Sequence, residues 1–175
     1  MLSRRLHRGV TLIEMSITIA IAAILIALAV PSFKIMLANA QIRTAAQALH
    51  DGLQLARVEA IRRNERVIFS KGTQSAWTVS IESDASTVQT RPYTEGSTAA
   101  TVSVTPNGAT QVTFNALGRV VANTDASNSI TQLDTDVPIT LIPAADSREL
   151  RITITTGGAI RLCDPNVTPG VGMGC

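Results

Sequence analysis

RGVTLIEMSITIAIAAILIALAVPSF, running from Arg8 to Phe33, decides how this chain is read. From Met15 to Val30 it is apolar enough to enter a bilayer, and Val10–Val30 spans 21 residues, close to the ~20 that cross one as a helix. Glu14 stands at its head. A carboxylate deep in hydrocarbon costs on the order of 2.5–3.5 kcal/mol, and less near the interface. Its presence therefore asks for a reason.

The tip before this stretch holds Arg4, Arg5 and Arg8 and no acid. Residues 10–175 carry 12 Lys+Arg against 13 Asp+Glu, a net of −1. The overall +2 thus belongs to the tip and says nothing about a nucleic-acid surface on the rest. Two ordinary readings fit the tip and the apolar run. One is a secretory signal peptide, with Ala27-Leu28-Ala29 as a small-residue cleavage site. The other is a plain transmembrane anchor. In both, the arginines hold the tip in the cytoplasm and send the remainder outward. Neither accounts for Glu14.

Arg8-Gly9-Val10-Thr11-Leu12-Ile13-Glu14 resembles the leader junction of type IV pilins and type II secretion pseudopilins. The resemblance implies that a prepilin peptidase cuts between Gly9 and Val10, leaves the apolar run attached, and N-methylates Val10. Most members have Phe at the new terminus, where this chain has Val10. The resemblance also supplies the reason for Glu14. In a staggered filament the Glu14 carboxylate of one subunit can face the new amine of the next, and a carboxylate poor in water gains most from such a partner.

After Pro31 the helical pattern resumes. Ile42, Ala45, Leu49, Leu53, Ala56 and Ala60 form one apolar stripe. Gln41, Arg43, Gln47, His50, Asp51, Gln54 and Arg57 lie largely off it, and Arg62, Arg63 and Arg66 gather at its end, where cations suit the helix dipole. One helix from about Thr11 to Asn64 would be roughly 80 Å long. Gly52, which costs about 1 kcal/mol against Ala, marks either close contact with a sheet or a tolerated glycine. Strands are expected at 66–70, 77–81, 101–105, 111–114, 138–142, 150–156 and 160–163, where β-branched and apolar residues run or alternate. The Ser/Thr/Asn/Asp/Gly stretches 83–97 and 123–136 read as loops.

Gln111–Val120, with Phe114 and Gly118, resembles the Phe…Gly strand-turn of the H-type minor pseudopilins and their FimT-like relatives. So does the ending Leu150–Pro165, with its glycine pair, Arg161, Cys163, Asp164 and Pro165. The fold expected is α+β, a long N-terminal helix packed on an antiparallel β-sheet or sandwich domain. Its parts are a leader over 1–9, a transmembrane helix over 10–30, an amphipathic continuation over 31–64 and a periplasmic β-domain over 65–175. In the last hairpin, Ile152, Ile154, Ile160 and Leu162 share the inner face. Ile154 is expected opposite Leu162 across a Gly157-Gly158-Ala159 loop, with Arg151 and Arg161 outward.

No enzyme chemistry is legible. His50 and Asp51 are helix neighbours that point in different directions. Gly170-Val-Gly172-Met-Gly174 opens no helix, fails the context test for a phosphate loop, and reads as a flexible tail. Two cysteines and one histidine outside the tip supply no zinc-ligand spacing, so no metal and no cofactor is expected. With the domain outside the cytoplasm, Cys163 and Cys175 read as a disulfide rather than two free thiols, worth about 3 kcal/mol in the chain-entropy model.

The resemblance implies a minor subunit of a type II secretion pseudopilus or type IV pilus, anchored in the bacterial inner membrane with its N-terminus cytoplasmic. Its partners would be the prepilin peptidase and methyltransferase and other major and minor pilins or pseudopilins. The alternative is a DNA-capturing minor pilin, whose Gly-Arg-x-Arg hairpin motif here reads Gly158-Ala159-Ile160-Arg161. Only the second arginine is kept. Residues 31–175 hold 12 basic and 12 acidic residues, so the electrostatic footprint of a nucleic-acid binder is missing. Arg119, Arg148, Arg151 and Arg161 are the remaining candidates for DNA contact.

Overall fold

A computed structural model describes residues 10–138 and 140–175. One helix, α1 (Leu12–Arg63), runs through both halves of the N-terminal pattern and continues across Pro31. Proline removes one backbone donor from a helix without preventing it where the surroundings supply the rest. Thr11 caps the start, its hydroxyl accepting from the Glu14 backbone N–H at 3.3 Å. Asn64 ends the helix in a left-handed conformation with φ of 56°, a residue type that tolerates it.

Among the described residues the chain then forms nine strands in two antiparallel sheets. These are β1 (Val67–Lys71), β2 (Trp77–Ile81), β3 (Thr87–Arg91), β4 (Thr101–Thr105), β5 (Gln111–Phe114), β6 (Val120–Val121), β7 (Gln132–Asp136), β8 (Leu150–Ile154) and β9 (Ile160–Cys163). The first sheet has the order β3-β2-β1-β5-β6, the second β4-β7-β8-β9. Both lie against the second half of α1.

Register explains the core. Phe69 opposes Val79 on one side and Val112 on the other, and Val67 opposes Ile81 and Phe114. These rows face the helix. In the second sheet Leu133 opposes Val104 and Ile152, and Ile152 opposes Leu162. The helix contributes Ile42, Ala45, Leu49, Leu53, Ala56 and Ala60, all fully buried. The apolar stripe read from the sequence is therefore the buried one. Ala46, Ala48 and Gly52 widen it. Gly52 is there for closeness: a Cβ on it would stand 2.7 Å from the Trp77 ring and 2.9 Å from Phe69 Cε2.

Several expectations need correction. The segment 138–142 is not a strand. Pro138 has no N–H to give a ladder, Leu141 N–H donates to the Pro138 carbonyl at 2.8 Å, and part of the segment, Ile139, lies outside the described residues. The strand is β7, inside the stretch read as loop. Its sequence QLDTD buries only Leu133 and Thr135. Polar alternation hid it. Thr135 is tolerated inside because its hydroxyl donates to the Leu150 carbonyl at 2.9 Å. The other loop conceals β3, an edge strand with little buried surface. The short β6 pairs only Val120 and Val121 with β5.

The last hairpin is shifted. Ile154 opposes Ile160, and Ile152 opposes Leu162. Pairing continues through Thr155 and Ala159, with Thr155 N–H on the Ala159 carbonyl at 3.0 Å, so the loop is Thr156-Gly157-Gly158. The inward set is unchanged because the shift is by two positions across the pair, which preserves the alternation.

 The Gly-rich ending is pinned to the last strand, as the expected disulfide requires. Cys163 and Cys175 are joined by a disulfide. Within it, Asp164 N–H donates to the Met173 carbonyl at 2.7 Å, and Cys175 N–H donates to the Asp164 carbonyl at 3.3 Å. Backbone bonds as well as the covalent link therefore fold the ending back onto β9. Reducing the link, or Cys163→Ser with Cys175→Ser, should cost about 2–3 kcal/mol of unfolding free energy. Denaturant titration of the full chain in detergent checks this. Mass analysis of untreated protein should show a loss of two hydrogens against the reduced form.

Candidate functional site

Two regions carry the residues singled out in the sequence. The first is the leading half of α1. Every residue from Val10 to Lys34 is exposed in the monomer, and the first buried helix residue is Ala38. An apolar surface of that length is not left to water. Its composition fits a bilayer or the helices of other subunits. Ser16 and Thr18 do not disturb it, because their hydroxyls donate to the Ile13 and Met15 carbonyls at 2.8 and 2.9 Å.

Glu14 lies in the first turn of this surface, where a negative charge suits the helix dipole. Among the described residues it makes no ion pair. Val10 stands just before the Thr11 cap. Gly9, and with it the proposed cleavage junction and the leader, lies outside the described residues.

The second region is the set of arginines. Arg151 is occupied: it opposes Asp134 across β7 and β8, with Nε 2.7 Å from the carboxylate. That carboxylate raises the pKa of the Arg151 guanidinium. Arg161 is exposed and opposes Thr153 on the same outer face. Arg148 precedes β8 and so sits at the end of the hairpin away from its turn, where its N–H donates to Asn39 Oδ1 at 2.9 Å.

Arg119 belongs at the opposite end. Its Cα would stand 3.4 Å from a Cβ placed on Gly158. The four arginines are thus split between the two ends and the outer face of the hairpin, with one of them neutralised. They do not make one continuous basic patch.

What the structure does bring together are the two glycine turns. Gly118 and Gly158 both have positive φ, at 69° and 82°. A Cβ on Gly158 would fall on the Gly118 carbonyl oxygen. Arg57 of α1 donates to that same oxygen from Nε at 3.2 Å, and Val120 N–H donates to the Thr156 carbonyl at 3.2 Å. The two sheets meet here through backbone, and the helix joins them through the Arg57 side chain. Sequence reading found the two glycines but not their contact, and it placed Arg57 only on the polar side of the helix. Nothing in the local pattern of either turn signals a neighbour about 40 residues away.

The comparisons with known proteins agree with this architecture. The family model described as type II transport protein GspH matches residues 45–158. The prokaryotic N-terminal methylation motif matches residues 4–30. Two crystal structures of the type IV minor pilin FimU from Pseudomonas aeruginosa are similar in fold. One has a TM-score of 0.51 at 16% identity, covering 74% of this chain and 92% of that one. The other has a TM-score of 0.50 at 20% identity, covering 73% and 97%. At such identity the likeness speaks for the fold alone. No curated protein matches the chain.

Proposed function

Because the chain belongs to the GspH family of type II transport proteins, we propose that it works as a minor pseudopilin or minor pilin, a structural subunit of a type II secretion pseudopilus or a type IV pilus. The observation that carries this reading is the wholly exposed apolar half-helix with Glu14 at its head, continuous with the half that holds the β-domain. The first half serves as membrane anchor before assembly and as core helix afterwards. The second half presents the two sheets at the filament surface.

In this reading the arginine-rich tip stays in the cytoplasm and the β-domain lies in the periplasm. The partners are a prepilin peptidase and methyltransferase, then other pilin-type subunits whose helices cover the exposed half of α1. The role is structural rather than catalytic.

Processing provides the test. In cells with the peptidase, the mature chain should begin at Val10 and carry one methyl group on its amine. Without the peptidase it should keep residues 1–9. Gly9→Val should abolish cleavage, since a larger side chain obstructs the peptidase site. Mass measurement of the intact N-terminus reads all three results. A mature chain beginning at Val30 would instead make the apolar run an ordinary signal peptide and overturn the proposal.

A further inference from the structure

The connection between β7 and β8 reaches away from the sheets and down the helix. Asn39 fixes its upper part, its Nδ2 donating to the Asp146 carbonyl and its Oδ1 accepting from Arg148 N–H, both at 2.9 Å. Ile142 is buried against Ile35, Ala38 and Ile42. Beyond it, Leu141 and Pro143 lie across a cleft of about 340 Å³ from Val30, Pro31, Lys34 and Ile35. Asn39 to Val30 is nine residues, about 14 Å along the axis. The connection therefore ends at the level where the apolar Val10–Val30 stretch ends.

Leu141 is 50% exposed there. On the helix Phe33, Met36 and Leu37 are exposed as well, on the side turned away from the Val30, Pro31, Lys34 and Ile35 face that meets Leu141. The hydrocarbon core is about 30 Å thick and the whole bilayer about 40–45 Å. Half of the difference, about 5–7 Å on each side, reaches from Val30 to about Ile35, and Leu141 lies across from those residues. Of the backbone donors there, Leu141 N–H is bonded to the Pro138 carbonyl at 2.8 Å, and Pro138 and Pro143 have none. Lys34, which among the described residues makes no ion pair, has an apolar stem and a cationic head suited to the same depth.

We propose that residues 141–143 of this connection form a membrane-contacting surface: Leu141 seats in the headgroup–acyl boundary of the bilayer that α1 crosses, so that the globular domain rests on the lipid before it joins a filament. The occupant is a phospholipid surface, because the patch is continuous with the membrane-spanning face of the same helix. The inference rests on reading Val10–Val30 as that span.

The test uses the full chain, oxidised so that only an introduced cysteine reacts, in vesicles of phosphatidylethanolamine with phosphatidylglycerol. An environment-sensitive fluorophore is placed in turn at Leu141→Cys, at Ala22→Cys inside the span, and at Gln89→Cys on the exposed edge strand. Lipids carrying a nitroxide near the headgroup should quench the Leu141 probe most strongly, and its emission should be blue-shifted and protected from aqueous iodide. The Ala22 probe should be quenched most by a nitroxide near the acyl-chain end. The Gln89 probe should respond to iodide alone. If the Leu141 probe behaves like the Gln89 probe while Ala22 is quenched from within the bilayer, the lipid contact is wrong and the span stands. If the Ala22 probe is not quenched from the chain end, the span fails and the lipid contact fails with it.

Discussion

Gly158→Ala should destabilise the domain by about 3 kcal/mol or more, the sum expected from a strained left-handed residue and a steric conflict in a packed site. Gly157→Ala, one residue earlier, should change little. The contrast follows from two separate facts. Gly158 has a φ of 82°, and a Cβ there would meet the Gly118 carbonyl oxygen and stand 2.9 Å from its carbon. Gly157 has neither problem, since a Cβ there meets only Thr155 Oγ1, at 3.7 Å.

Gly108→Ala separates the two contributions. Its φ is also 82°, but nothing lies within 4 Å of a Cβ there. It should lose only the conformational term, about 1–2 kcal/mol. The opposing atoms at Gly158 are backbone, so no side chain can swing aside. One turn must move, and with it the Val120–Thr156 bond that ties the sheets and the Arg57 bond that ties the Gly118 turn to the helix. Unfolding of the three variants in denaturant gives the ranking. Equal losses at Gly108 and Gly158 would show that the contact between the turns carries no stability.

The elements legible in the sequence were those where burial and chemistry coincide. The stripe from Ile42 to Ala60 and strand Trp77–Ile81 carry their apolar residues at helical and strand spacing, and both are where the spacing puts them. Strand β7 was not legible, because Leu133 is its only buried apolar side chain and its remaining inward position is Thr135. Its outward Asp134 is explained by Arg151 on the neighbouring strand, a partner that no local window contains. Strand β3 was hidden for the opposite reason: an edge strand with one face in water needs few apolar residues. In the final hairpin the inward set was readable from alternation, but the pairing depended on turn hydrogen bonds from Thr155. The same limit applies to the arginines. Their presence is sequence, while their separation by the hairpin's length is topology.

Glu14→Val should leave the protein in the membrane and reduce its incorporation into filaments by at least about tenfold, equivalent to about 1.4 kcal/mol. The two effects have opposite signs for one physical reason. In a lipid-embedded monomer the carboxylate is a cost, so replacing it with an apolar side chain eases insertion. On the proposed reading it has a use in the assembled state, because cleavage after Gly9 would leave a cationic amine at Val10 that would otherwise sit among apolar helices. Removing one member of a buried pair leaves the other uncompensated, which typically costs about 3–5 kcal/mol, so tenfold is the lower bound. Glu14→Asp tests reach: it keeps the charge but shortens the side chain, and should recover part of the loss. Glu14→Gln keeps the shape without the charge and should recover less. Quantifying each variant in the membrane fraction and in sheared or purified filaments separates insertion from assembly. Should Glu14→Val assemble as well as the unaltered chain, the carboxylate has no amine partner, and its place at the head of the helix is explained by the dipole alone.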